Sequence, residues 1–224
     1  MGGHANLGIA HGIAGPLALL ATAARHDITV PGHHDAIGRI CDWLEHWRRG
    51  TPDRAWWPEM LSLPEAHTGI LRQPGPGRPS WCYGTPGLAR AQQLAALALG
   101  DPHRQHRAEQ ALIGCLDDDH QLGQITDASL CHGWAGLVHT TYRAAADSRT
   151  GELADRLPRL HPGVTQQTSR HRLNGDGLLE GDAGLHLVND TITHAPPPSG
   201  WDGCLLLTGS PPTARTHRTW GRAL

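Results

Sequence analysis

At 224 residues with 38% hydrophobic side chains, the chain is long enough to bury one sizeable core and has a globular rather than a disordered composition. A formal net charge of -2 with no aromatic-interleaved Arg cluster argues against nucleic acid as a partner. No apolar run approaches the ~20 residues of a membrane span, and Met1-Gly2-Gly3-His4 lacks the basic and apolar regions of a signal peptide, so the expected compartment is the cytoplasm.

The first stretch, Asn6-Leu7-Gly8-Ile9-Ala10-His11-Gly12-Ile13-Ala14-Gly15, ends in a Gly-x-x-Gly. After Pro16 the run Leu17 to Ala24 is apolar on nearly every side, which predicts a buried helix with the proline tolerated in its first turn. His33-His34 reads as a solvated helix entry. Asp35 to Arg48, with Ile37, Ile40, Cys41, Leu44 and Trp47 at helical spacing, reads as a helix with one buried face. From about Gly50 to Ser80 the chain carries Trp56-Trp57-Pro58 and Gln73-Pro74-Gly75-Pro76-Gly77-Arg78-Pro79, too much proline for a continuous helix. This insertion runs directly into the next motif and is expected to wall the site formed there.

Trp81-Cys82-Tyr83-Gly84-Thr85-Pro86-Gly87 and Leu130-Cys131-His132-Gly133-Trp134-Ala135-Gly136 each place a cysteine two residues before a Gly-x-x-Gly. Apolar helices are predicted after both, over Leu88 to Leu99 and Leu137 to Ala146. Between them His103 to Leu116, with Ala108, Ala111, Leu112 and Cys115 on one face, repeats the amphipathic type. Residues 147–178 are poor in apolar periodicity and give little support to a further amphipathic helix. Gly181 to Gly184 forms a fourth motif, and from Gly209 the run Ser210-Pro211-Pro212-Thr213 reads as a disordered tail. The folded unit is therefore expected over 1–208 and the tail over 209–224.

The four motifs start at 12, 84, 133 and 181, separated by 72, 49 and 48 residues. A repeat near 48 residues without strand signals suits a pair of helices, the longer first interval carrying the insertion. Buried inner helices alternating with amphipathic outer ones predict an all-α ring of helical hairpins. Equivalent positions in such repeats meet near one axis. Cys82, Cys131 and His132 are thereby expected to converge with His11 and Tyr83. Two thiolates and an imidazole form a borderline-soft donor set that suits Zn(II), and three protein ligands leave a fourth tetrahedral position open, which argues for catalysis. The blander readings are a buried thiol for Cys82, a core imidazole for His132, a packed or capping His11, a solvated Arg78 and a core Tyr83. Five cysteines, an odd number and widely spaced, read as reduced thiols, with Cys41, Cys115 and Cys204 expected to be buried as small hydrophobes.

The segments Asn6 to Gly15, Trp81-Cys82-Tyr83-Gly84, Cys131-His132-Gly133, Leu178-Leu179-Glu180-Gly181-Asp182-Ala183-Gly184 and Trp201-Asp202-Gly203-Cys204-Leu205-Leu206-Leu207 together resemble the lanthionine synthetase C-like family in order and spacing. The resemblance implies an (α/α) toroid of inner and outer helices, incomplete here, with about four of the family's seven repeats present. The chain resembles the family's C-terminal half, so the aspartate that the family places in its N-terminal half has no counterpart to assign. The resemblance further implies one catalytic Zn2+ on Cys82, Cys131 and His132, and catalytic roles for His11, Arg78 and Tyr83. The activity implied is addition of a peptide cysteine to dehydroalanine or dehydrobutyrine. The implied partners are a dehydrated precursor peptide and either a dehydratase or a separately encoded N-terminal half. Competing expectations are a truncated, non-catalytic zinc- or peptide-binding remnant and a glutathione-adding enzyme. A prenyltransferase-like site would call for a carboxylate ligand, which two cysteines and a histidine do not supply.

Overall fold

Each of the four repeated Gly-x-x-Gly turns stands at the start of a helix, and the reason is steric. A Cβ on the second glycine would collide with the backbone carbonyl oxygen six residues earlier: Ile9 for Gly15, Trp81 for Gly87, Leu130 for Gly136 and Leu178 for Gly184. The chain thus folds back tightly before each helix, and only glycine permits the approach.

The computed structural model describes residues 3–170, 173, 175–194 and 200–208. In chain order the elements are β1 (His4–Asn6), α1 (Ala14–Arg25), α2 (His33–His46), β2 (Met60–Ser62), α3 (Leu63–Thr68), α4 (Thr85–Leu99), α5 (Pro102–Leu116), α6 (Asp119–Leu122), α7 (Trp134–Asp147), α8 (Leu157–Arg170) and α9 (Asp182–His194). The four helices that follow the motifs pack in sequence order, α1 on α4, α4 on α7 and α7 on α9. The amphipathic helices lie against them pairwise, α2 on α1, α5 on α4 and α8 on α7. The result is an all-α, multi-helix arrangement of inner and outer helices. Leu17, Leu88, Leu94, Leu112, Leu130 and Leu137, all fully buried, form its core.

Local signals set the boundaries. Asp101 caps α5 by accepting the Arg104 N–H at 2.9 Å, with Pro102 in the first turn, and Gly100, at φ 65°, ends α4 in the left-handed region that glycine tolerates. The insertion is not a bare loop. Ser62 and Glu65 form a reciprocal capping box that starts α3, and β2 pairs antiparallel with β1, Ala5 opposite Leu61. A three-residue strand is too short to show a period of two, so the small ribbon is invisible to sequence periodicity.

Helix α8 fills the stretch with the weakest predicted pattern. Leu160 and Val164 are buried, and the α8 face that carries them packs on α7, while Gly163 admits the Trp134 indole against the helix backbone. Pro162 inside the helix removes one ladder hydrogen bond, which tertiary packing outweighs.

Two expectations are corrected. His33 is not solvated: it is buried, with Nε2 2.8 Å from the Leu20 carbonyl oxygen, and ties the start of α2 to α1, whereas His34 is exposed. Cys204 is exposed rather than buried, because a one-turn 3-10 segment over Trp201–Leu205 turns Asp202 and Leu205 inward instead. Cys41 and Cys115 are buried as expected. The tail expected to be disordered, 209–224, lies outside the described residues. Among the described residues no helix is long and apolar enough to cross a membrane.

The segment 200–208 is strapped to the inner helices. Trp81 Nε1 donates to Leu205 O at 3.0 Å. The fully buried Arg90 donates to Leu207 O at 2.7 and 3.0 Å, and its Nη2 also lies 2.7 Å from Asp147. Asp202 accepts from Arg143 through both oxygens, at 2.5 and 2.9 Å, and lies 2.7 Å from His139 Nε2.

Candidate metal centre

The residue two positions before each first glycine is Ala10, Cys82, Cys131 and Leu179 in the four repeats. These four are joined by backbone hydrogen bonds. Ala10 N donates to Cys82 O at 3.3 Å, Cys82 N to Cys131 O at 3.3 Å, and Cys131 N to Leu179 O at 2.8 Å. The repeats therefore meet at their motif turns, and a continuous peptide chain of donors and acceptors holds the two cysteines side by side although 49 residues separate them.

The Sγ atoms of Cys82 and Cys131 and one ring nitrogen of His132 lie within 4.8 Å of one another. A tetrahedral zinc with Zn–S of ~2.3 Å and Zn–N of ~2.0 Å holds such atoms about 3.5–3.8 Å apart, so small side-chain rotations close the set. Cys82 is buried, while Cys131 and His132 are half-buried. The cluster thus has a packed back and an accessible front.

The two thiols divide their chemistry unequally. The Cys131 side chain hydrogen-bonds to Cys82 and holds that thiol below its usual range against the opposing effect of burial, with the Ser80 hydroxyl and the His132 charge acting in the same sense. The same hydrogen bond, then burial and the Cys82 and Glu180 charges, push Cys131 up, and Arg78 opposes them. Cys82 is therefore the first of the pair to ionise. Ser80, also buried, accepts the Gly84 N–H at 3.0 Å and lies 3.7 Å from Cys82 Sγ.

The other residues singled out in the sequence take positions around this cluster. Tyr83 follows Cys82, and its ring centroid lies 6.0 Å from that of His11, which is exposed on the preceding repeat. Arg78 is half-buried and near enough for its charge to act on Cys131. Two residues to which sequence reading gave no role also belong here. Asp127 Oδ2 stands 3.5 Å from His132 Nε2, and Glu180 occupies the fourth-repeat position equivalent to His11, Tyr83 and His132. The repeat register itself places Glu180 at that position. Asp127 lies six residues before its glycine, outside the motif, and carries no such signal.

The description "Lanthionine synthetase C-like protein" matches residues 1–206. Nisin biosynthesis protein NisC of Lactococcus lactis subsp. lactis is 26% identical over 204 residues, covering 90% of this chain and 48% of NisC. A solved structure of nisin cyclase superposes with a TM-score of 0.80 at 25% identity, covering 92% of this chain and 50% of that one. The chain spans about half the length of the curated relative it matches. With its repeated motif turns, its inner and outer helices and its Cys/Cys/His cluster, the chain belongs to the lanthionine synthetase C-like family.

Proposed function

We propose that this chain carries the metal-binding part of a zinc-dependent cyclase that adds a peptide cysteine across the double bond of dehydroalanine or dehydrobutyrine, giving a (methyl)lanthionine thioether. The observation that carries the reading is the convergence of two thiols and one imidazole within 4.8 Å on the motif turns of adjacent repeats, with an accessible front. The donor set fits Zn(II) and leaves one coordination position for a substrate. The succession of inner and outer helices is read as an arc of an (α/α) toroid, in keeping with the superposition on nisin cyclase.

Cys82, Cys131 and His132 would hold the ion. When bound, Zn2+ supplies the positive charge that keeps a substrate cysteine ionised at neutral pH, where a free thiol of pKa ~8.5 is only slightly ionised. The new S–C bond forms at the β-carbon of the dehydro residue, and the electron pair of the double bond passes to the carbonyl as an enolate. Arg78, with its fixed fork of donors, is assigned to the enolate oxygen. His11, in ring contact with Tyr83, is assigned to deliver the proton to the α-carbon. Tyr83 is assigned as a hydrogen-bond donor that orients the same intermediate. All five cysteines are free, which suits a reducing, cytoplasmic compartment and a thiol-based reaction. The partner is a dehydrated precursor peptide, delivered by a dehydratase, with a separately encoded N-terminal half as a second candidate partner.

A second reading, a zinc- and peptide-binding module without cyclase activity of its own, is favoured by one observation: the match covers only 48% of NisC. One experiment separates the two. The chain is loaded with zinc and mixed with a dehydrated, cysteine-containing peptide, and unreacted cysteines are counted by the mass shift of a thiol-alkylating reagent. Zinc bound at one equivalent with peptide cysteines consumed supports the cyclase. Zinc bound with cysteines left free supports the binding module. A Cys82→Ala protein that binds zinc with unchanged stoichiometry and affinity sinks the metal centre and both readings with it.

A further inference from the structure

We propose that Asp127 is the positioning carboxylate of the metal centre, holding His132 through Nε2 so that Nδ1 is the nitrogen offered to the metal beside the two thiolates. The proposal rests on the reading of Cys82, Cys131 and His132 as ligands. Asp127 Oδ2 lies 3.5 Å from His132 Nε2, both side chains being about a quarter exposed. An imidazole has two nitrogens and one proton when neutral. A carboxylate that accepts the Nε2–H fixes both the ring orientation and the tautomer, and leaves the Nδ1 lone pair free.

The comparison between repeats shows that this carboxylate is more than the turn requires. Asp127 stands six residues before Gly133, where the other repeats have Asn6, Arg78 and Gly175. The backbone role of the position is the same in at least three of them: Asn6 O accepts Ile13 N at 3.0 Å, Asp127 O accepts Trp134 N at 3.1 Å, and Gly175 O accepts Asp182 N at 2.9 Å. Gly175 does this with no side chain at all. One further role, accepting the N–H two residues on, is carried by Asn6 Oδ1 to Gly8 N at 2.9 Å and by Asp127 Oδ1 to Ser129 N at 2.7 Å. An asparagine therefore suffices for the local turn. The second oxygen of Asp127 is surplus to it, and that oxygen faces His132, in the one repeat whose motif carries the histidine of the cluster.

The carboxylate is also held in place. Its Oδ1 is fixed by the Ser129 N–H and lies directly against Gly133, where a Cβ would strike it. Ser129 Oγ in turn lies 3.4 Å from the His132 backbone nitrogen and accepts its N–H. Anchored at one oxygen, Asp127 presents the other to the imidazole with little freedom to turn away.

Asp127→Asn is the informative substitution because it preserves the Ser129 turn, as Asn6 does in its own repeat, while placing an NH2 donor opposite Nε2. That donor favours the tautomer with the proton on Nδ1, which cannot ligate. Zinc affinity of the full chain is measured by competition with a chromophoric chelator, alongside thermal melting of the metal-free protein. In parallel, 15N–1H long-range correlation spectra of the zinc-loaded parent report which His132 nitrogen carries the proton. Asp127→Asn is expected to weaken zinc binding about 10- to 100-fold with unchanged melting temperature, and the parent to show a protonated Nε2 and a metallated Nδ1. Affinity within twofold of the parent, or a metallated Nε2, overturns the proposal while the metal centre stands. The spectra of the parent decide the question even where the variant folds poorly. A parent whose zinc binding is indifferent to Cys82→Ala overturns the metal centre itself, a different failure that removes this proposal as well.

Discussion

Cys82 ionises more readily than the other buried thiols because Cys131 and Ser80 solvate its sulfur inside the fold, whereas burial, with the Asp42 and Asp101 charges and against Arg104, drives Cys41 up to about 11, and burial with the Asp118 charge drives Cys115 up as well. The thiolate is the reactive form, so the five cysteines should separate in an alkylation time course. Without metal at pH 7.5, Cys204 is expected to label first, being exposed, followed by the Cys82–Cys131 pair. Cys41 and Cys115 are expected to stay unmodified until denaturant is added. One equivalent of zinc should protect Cys82 and Cys131 and leave a single native adduct, which peptide mapping by mass spectrometry will locate. Labelling of Cys82 at the same rate with and without zinc would contradict the ligand assignment. The cysteine pair and His132 were legible in the sequence because their repeat phase is the same. Asp127 was not, because its relation to His132 depends on how the turn before Gly133 folds back.

At the scale of elements, the glycines of the repeat act through close approach rather than through flexibility. Gly87→Ala would drive a methyl group into the Trp81 carbonyl oxygen at the turn that positions Cys82. Removing that overlap requires a backbone shift, and a loss of stability above about 2 kcal/mol is expected, together with weaker zinc binding. Gly38 in α2 is the contrasting case, since nothing lies within 4 Å of a Cβ placed there. Gly38→Ala should stabilise the chain by about 0.5–1 kcal/mol through helix propensity. Equilibrium urea unfolding of the two variants checks both signs. The inner helices α1, α4 and α7, with α2 and α5, were predictable from apolar periodicity and from the motif that starts the inner set; α9 follows the fourth motif without having been predicted. Helix α8 was not, because its apolar face is made by few residues, Leu160 and Val164 among them, and two prolines mask the pattern.

At the scale of the whole molecule, the C-terminal segment 200–208 is joined to α4 and α7 by buried polar contacts rather than by apolar packing alone. Arg90 is the hub on α4, and removing it orphans Leu207 O and deprives Asp147 of one of its two arginines. Arg90→Ala is expected to cost about 3 kcal/mol in chemical denaturation. The hub on α7 is sensitive to pH. Burial lowers His139 below its ordinary value of 6.5 and outweighs the attraction of Asp202; its Nδ1 has no hydrogen-bond partner among the described residues, so a second proton there would be unpaired. A folded pKa below the unfolded one means that the unfolded chain binds more protons, so stability falls as pH drops below about 6.5. Burial works to raise Asp202, but the hydrogen bonds from His139 and Arg143 and the Arg143 charge overcome it and leave its carboxyl below the ordinary 3.8, which adds a further loss at more acid pH. Thermal melting is expected to drop between pH 7 and pH 5 in the parent and to drop less steeply in His139→Gln. Equal slopes would show that His139 does not titrate in that window.

The sequence by itself determined the repeat, its phase and therefore the family, because Gly-x-x-Gly turns and apolar helices are local demands that any chain must meet with particular residues. It also determined which two thiols and which imidazole converge in a cluster that could hold a metal ion. The tertiary structure decided how those side chains are partnered: that Cys131 and Ser80 lower the pKa of Cys82, that Asp127 faces His132, that His33 is buried and Cys204 is not, and that the segment 200–208 hangs on Arg90 and Asp202. These depend on contacts between residues far apart in the chain, or on the fold of a turn, and periodicity records neither.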